Sequence, residues 1–414
     1  MTILSTTKES DVEIHDLRVN FEGVRYVGEG ELRWIPSEGF KIQASLSPLG
    51  KQRSRTISIG GGGPIPRRRI GFKIYNVWRA FSTQVFINSW QFLEVSLKKK
   101  FTAEFDTLVL SSSSNLLSKV SSTSGACTFL LGNFADLPDY IEKKVTLGGE
   151  ILTSEKARRG LSFRDNDLEI TGFMDENHHL EIAWKYLSSR YSKTNDWSMA
   201  IAMRDALSIS TGCTARLLRR ELYRPKKTFA EFITKRPVTN LGYFSPIADI
   251  DLFDKRLFGN LLQIFIANNV NATLCRNLFY SIADALNTRN KQLMEFLIAS
   301  SLEAFLRTFD NRPRTGSRST DKWHLDGSLK NFQEKYLSGE KKKEWKKICS
   351  KVKEYHSVLR NRAGHPDWLA SENSSADVKS REPYDQMEFL CRFYGYMILA
   401  IAGYENLRPE KLKI

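Results

Sequence analysis

The hydrophobic period of this chain changes once, and the change dictates two kinds of secondary structure. From about Val12 to Trp184 apolar residues recur at every second position. Leu32 and Trp34 precede a Pro36–Gly39 turn, and Phe40, Ile42, Ala44 and Leu46 share one face of the next segment. A period of two places successive side chains on opposite faces of a strand. Further strands are expected over 69–78, 84–97, 103–110, 126–131, 167–172 and 179–184, with turns rich in Gly, Pro, Asn and Asp between them. From Trp197 onward Met199, Ala202, Met203, Ala206 and Leu207 recur at helical spacing. The fold expected is α+β and multidomain: an antiparallel, sandwich-like or curved β-rich part, then an all-α bundle.

The expected boundaries follow from that pattern. Residues 1–185 form the β-rich part, 186–254 a helical linker region, and 255–414 the helical bundle. In the linker Arg216, Arg219 and Arg220 fall at the spacing of a basic helix face, and Pro225, Pro237 and Pro246 mark an irregular stretch. In the bundle a helix over 291–307 carries a buried stripe of Ile298, Leu302, Phe305 and Leu306, continued by Phe309. Residues 311–320 read as a basic loop and 332–337 as a short helix. A long helix over 340–363 buries Trp345, Ile348, Cys349, Val352, His356 and Leu359, and an apolar helix over 384–402 follows. Antiparallel helices with short connections make an up-and-down bundle.

Composition narrows the function. No run of about 18 apolar residues occurs, so no membrane span is expected. The first ten residues lack the basic start and apolar stretch of a secretory signal, which points to a cytoplasmic protein. Five cysteines, none in a CxxC pair, read as reduced and mostly buried thiols. Gly60–Gly63 is not followed by Gly-Lys-Ser/Thr, so with Arg67–Arg69 it reads as a basic loop. His178 and His179 read as part of a polar hairpin turn, not a metal site. The formal net charge is +15, and residues 311–360 hold 14 Lys or Arg against 6 Asp or Glu. More than half the excess therefore lies in 50 residues, which implies a polyanionic partner there.

That basic stretch leads into Arg360-Asn361-Arg362-Ala363-Gly364-His365. It sets a permanent cation, a carboxamide and a titratable imidazole within about one and a half helical turns. A guanidinium fork grips phosphate oxygens in two places, and an imidazole moves protons near neutral pH. These are the groups that metal-free phosphodiester cleavage needs. The bland alternative is a helix end, where cations offset the helix dipole and glycine stops the helix.

An Arg-Asn, three further residues and a His, late in a helical hairpin, resembles the signature of the HEPN ribonucleases. The text from Tyr355 to Trp368 looks most like the ApeA-like branch. Gly30–Pro36 followed by Gly39–Ile42 is weakly similar to the opening of ApeA-like N-terminal domains. The bundle resemblance covers roughly residues 255–410. It implies a metal-independent endoribonuclease with no cofactor, leaving 2′,3′-cyclic phosphate ends. Arg360, Asn361 and His365 would be its catalytic residues, with Glu303 on the neighbouring helix facing Arg360. Arg362, Lys341, Lys342, Lys343, Arg314 and Arg318 would contact RNA. The resemblance also implies a homodimer through the bundle and a role in prokaryotic antiviral defence or as a toxin. The β-rich part would then sense a trigger or bind an inhibitor protein. The apolar surplus of the last helix, Met387 to Ile401, offers a dimer surface. The alternative function is a non-catalytic RNA-binding or scaffold protein within a defence or toxin–antitoxin complex.

Overall fold

The computed structural model of the chain describes residues 9–21, 24–49, 65–74, 78–92, 99–105, 107–112, 124–130, 139–140, 145–147, 150–152, 158–174, 179–187, 196–212, 214–224, 227–234, 254–288, 290–309, 325–338, 341–364 and 382–404. It divides into a β unit (1–130, 139–196, 216–239) and a helical unit (131–138, 197–215, 240–414).

The β unit opens with β1 (Ser10–Phe21), β2 (Val24–Ile35), β3 (Gly39–Pro48), β4 (Ile65–Ile74), β5 (Trp78–Phe92) and β6 (Lys99–Phe105). Hydrogen bonding runs β4-β1-β2-β3-β6-β5, and β5 pairs back onto β4, so six antiparallel strands close into a ring. Of the sandwich and the curved antiparallel sheet expected here, these strands follow the second, curving until the sheet closes, which leaves them no free edge. The cause is visible in the residues. Alternate positions such as Ile14, Leu32, Trp34, Phe40, Ile42, Phe101 and Phe105 bury into one apolar cluster. Phe40 stacks on both Trp34 and Phe105, with ring centroids 4.2 and 5.1 Å away. Each such side chain, fully buried, contributes about 1.5–3 kcal/mol. On the β2–β3 pair, a Cβ on Gly28 would come 2.0 Å from the Ser45 carbonyl oxygen, and one on Gly30 2.1 Å from that of Gln43. The two strands thus approach too closely for any side chain there. A bulge between Ile14 and Leu17 puts Asp16 at φ 52°. Its carboxylate accepts from Arg18 and faces Lys73, and these two hold its pKa below the usual range.

β7 (Thr107–Ser112) leaves the ring by pairing with β5 and carries the sheet onward. Next come β8 (Ser124–Leu130), β9 (Asp139–Tyr140), a two-stranded β10 (Val145–Leu147) and β11 (Glu150–Leu152), β12 (Arg158–Arg164), β13 (Leu168–Met174) and β14 (His179–Tyr186). The last strands are β15 (Arg216–Arg224) and β16 (Lys227–Thr234), and the order continues β7-β16-β15-β8-β14-β13-β12-β9. Arg216, Arg219 and Arg220 are therefore strand residues, which corrects the helical reading of this stretch. Their helical spacing was coincidental: β15 pairs with β8 on one side and β16 on the other. His179 begins β14 and is buried, not exposed in a turn. The glycine run at Gly60–Gly63 and the serine-rich 113–123 lie outside the described residues.

The helical unit contains α1 (Asp196–Thr211), α2 (Lys255–Ala267), α3 (Val270–Leu286), α4 (Lys291–Arg307), α5 (Leu325–Tyr336), α6 (Lys341–Gly364) and α7 (Glu382–Ile401). Asp254, Asn269 and Asn290 cap α2, α3 and α4 by accepting backbone N–H bonds in the first turn. Trp345 of α6 stacks on Phe332 of α5 and lies against Phe393 and Tyr396 of α7. From Met387 to Ile401, α7 is buried save for Glu388 and the half-buried Arg392. Its apolar surplus, expected to seek a partner, is spent inside the unit on α3, α4 and α6. Among the described residues of the bundle, the exposed large apolar side chains are instead Val270 of α3 and Leu293 and Phe296 of α4. Burial pushes the thiols of Cys275, Cys349 and Cys391 up to about 12, which keeps them protonated. Among the described residues no helix is long and apolar enough to cross a membrane.

Candidate functional site on the α4–α6 seam

Helices α4 and α6 run side by side in the same direction. His356 Nε2 lies 3.2 Å from the Ala299 carbonyl oxygen, and one turn further Arg360 Nη1 lies 3.0 Å from Glu303 Oε2. The same sequence offset of 57 residues at both contacts sets the parallel register. The seam follows from two apolar stripes, Ile298, Leu302, Phe305 and Leu306 on α4 and Ile348, Val352 and Leu359 on α6, all buried.

Glu303 sits at the rim of that seam, with its side chain only 13% exposed. A carboxylate so far out of water needs cationic partners. It has two, Arg360 and, one turn on in its own helix, Arg307 at 2.5 Å. The Arg360 side chain is 58% exposed, so one end of the guanidinium reaches solvent while the other is pinned. His356, one turn before Arg360, is packed inside. Burial first, and the Arg360 cation in smaller measure, push its pKa down, although the Ala299 carbonyl and Glu303 pull the other way. It is a neutral packing histidine near pH 7, unlike the exposed imidazole that proton transfer to RNA would need.

Helix α6 continues past Arg360 to Gly364, so Asn361 and Arg362 lie on its last turn. The side chains of both are outside the described residues, and His365 lies beyond the described helix. Lys341, Lys342 and Lys343 open the first turn of α6 with their side chains likewise undescribed, and Arg314 and Arg318 lie in the undescribed 310–324. Of the residues singled out from sequence, the structure thus brings together Arg360 and Glu303. Arg307 was missed, although a Glu followed four residues later by Arg on one helix is a readable ion-pair signal.

A second acidic centre in the same unit was not anticipated. Asp205 of α1 is wholly buried. It accepts from Arg204, from Arg276 of α3 at 2.5 Å, and from the Tyr280 hydroxyl at 2.8 Å. Burial, then the Asp205 charge, push Tyr280 up to about 12. Both arginines are less exposed than Arg360 and converge on a carboxylate shut off from solvent, so this centre ties α1 to α3. No protein-family model, curated protein or solved structure matches this chain.

Proposed function

We propose that this protein is a metal-independent endoribonuclease of the HEPN type. The observation that carries the reading is the half-free Arg360 near the end of a basic helix, held against Glu303 and followed five residues later in the sequence by His365. RNA brings its own nucleophile, the 2′-hydroxyl, so the protein need only align, move protons and stabilise charge. His365 would take or give the proton. The 2′-oxygen bonds to phosphorus, the bond to the 5′-oxygen breaks, and that oxygen leaves with a proton as a 5′-hydroxyl. Arg360 would brace the pentacoordinate phosphorus, and Asn361 would orient the imidazole or a phosphate oxygen. One imidazole serves one end of this transfer, so a second copy of the chain supplies the other. With α7 sealed, the exposed Val270 of α3 and Leu293 and Phe296 of α4 are the large apolar residues that the described part of the bundle offers for that pairing. Arg362, Lys341–Lys343, Arg314 and Arg318 would add backbone contacts. A defence or toxin role in the cytoplasm, restrained through the β unit, fits an enzyme that must be silent until triggered.

The test is incubation of purified protein with RNA in EDTA, with the product ends identified. Cleavage leaving 2′,3′-cyclic phosphate, lost about 10²–10⁴-fold in His365→Ala, is expected. Intact RNA, or equal cutting by His365→Ala, would reject the assignment. The Glu303–Arg360 pair also favours one other reading, a non-catalytic RNA-binding or scaffold protein in which the pair merely locks α4 to α6. RNA binding without cleavage would select it.

A further inference from the structure

Beyond the Arg360 seam, α6 presents a second ordered feature. Lys346, Ser350, Lys353, Ser357 and Arg360 follow one another at intervals of four, three, four and three residues. That spacing keeps them on one strip of the helix, because seven-residue neighbours drift by only about 20°. Lys346, Ser350, Ser357 and Arg360 are exposed, and the Lys353 side chain is 42% exposed. The opposite face, Trp345, Ile348, Val352, His356 and Leu359, is buried, so the strip cannot turn inward.

The cations of the strip recur every seven residues, a rise of about 10.5 Å. Two of the three already hold an anion: Lys353 pairs with Asp326 of α5, and Arg360 with Glu303. Asp326 is 71% exposed, so that pair is worth little and exchanges readily. Glu303 keeps Arg307 when Arg360 turns away, so its half-buried charge is never left alone. Both carboxylates therefore mark places where an external phosphate can take over. The hydroxyls of Ser350 and Ser357 lie between the cations; that of Ser350 donates to the Lys346 carbonyl oxygen over a long 3.4 Å and can turn from it to a phosphate oxygen. Glu354, Lys347 and Lys351 are also exposed but sit further round the helix, and Lys351 lies over the Phe389 ring.

Resting on the ribonuclease reading, we propose that this strip is the track for a single RNA strand entering the Arg360 site from one side. From Lys346 to Arg360 it spans about 21 Å, or roughly six stacked nucleotides at about 3.4 Å each. One line of cations on a convex helix matches one phosphate row, not the two rows of a duplex. A single strand also leaves the 2′-oxygen free to swing into line for attack, which a regular A-form helix does not. The substrate class is therefore single-stranded RNA with several nucleotides on one side of the cleaved bond.

Full-length protein is titrated with labelled 2′-O-methyl oligouridines of about four, eight and twelve nucleotides, and with a duplex, at several salt concentrations. The 2′-O-methyl group removes the nucleophile, so binding is read apart from cutting. Affinity is expected to rise from the shortest probe to the middle one and then level, with the duplex weaker. The double variant Lys346→Ala, Lys353→Ala should lose that rise and lower the salt slope by about 1.4, since each phosphate on a single strand contributes about 0.7. Lys347→Ala with Lys351→Ala is the control and should keep the length dependence. Circular dichroism shows whether each variant keeps its helices. Equal losses in the two double variants, no loss in the first, or a duplex bound as tightly as the single strand would overturn the track. If RNA is cut while the strip variants bind normally, the track fails and the nuclease stands. If binding depends on the strip and nothing is cut, the track stands and the nuclease fails.

Discussion

Two carboxylates in the helical unit, Asp205 and Glu303, are each held by two arginines, yet they sit in opposite surroundings. Asp205 is wholly buried, and the Tyr280 hydroxyl joins Arg204 and Arg276 around it. Glu303 stands at the rim, and both of its arginines are more than half exposed. The same ionic chemistry is a fastener in the first place and an exchangeable contact in the second. What differs is the cost of changing partners. In the interior, a charge that loses its partner has no water to turn to. At the rim, solvent or a phosphate can replace it.

That contrast can be broken most sharply by stability measurements. Asp205→Ala should cost about 3–5 kcal/mol in urea unfolding, because Arg204, Arg276 and the Tyr280 hydroxyl all lose the buried carboxylate that they share. Glu303→Gln should cost about 1 kcal/mol or less, since Arg360 is freed into water. Equal costs would show that Glu303 too is a fastener and would weaken the case for Arg360 as a working group.

The next effect concerns turnover. Arg360→Lys keeps the charge but loses the fork, so cleavage should fall about 10²–10³-fold, as when one transition-state donor is removed, while RNA affinity changes little. Arg307→Lys, which keeps a cation beside Glu303, should cut at close to the wild-type rate. Full activity in Arg360→Lys would make Arg360 a bulk charge.

The smallest effect is a pH dependence on the α4–α6 seam. The folded-state pKa of His356 is pushed down by burial from an ordinary value of 6.5, so the unfolded chain binds its proton more readily. Stability is therefore full above about pH 6.5 and falls as pH drops below that value towards the lowered one. Thermal melts from pH 7.5 to 5.5 should show the loss. His356→Gln, which keeps a donor for Ala299, should flatten it. A profile unchanged by that substitution would move the titrating group elsewhere.

How much of this was legible in the residues depends on the range of the interaction. The bounds of α4 and α6 were readable to within a residue, because stripes at Ile298–Leu306 and Trp345–Leu359 repeat every turn and asparagine caps α4. Arg216, Arg219 and Arg220 misled, since three arginines at helical spacing outweighed Leu218 and the pairing with β8 that decides the strand. The pairings that close the ring, β1 with β4 and β3 with β6, join segments far apart in the chain and have no local signature, and neither does the 71-residue reach from Asp205 to Arg276.

The sequence by itself determined that a strand-rich part precedes a helical one, which faces are apolar, and that Arg360, Asn361 and His365 follow one another closely where a basic helix ends. Local period and charge order decide those things. The tertiary structure alone decided that six strands close into a ring, that α7 spends its apolar surface internally, and that Glu303 meets both Arg307 and Arg360. Those outcomes depend on which distant segments share a face, and burial energy, which is non-directional, is settled only when the whole chain has packed.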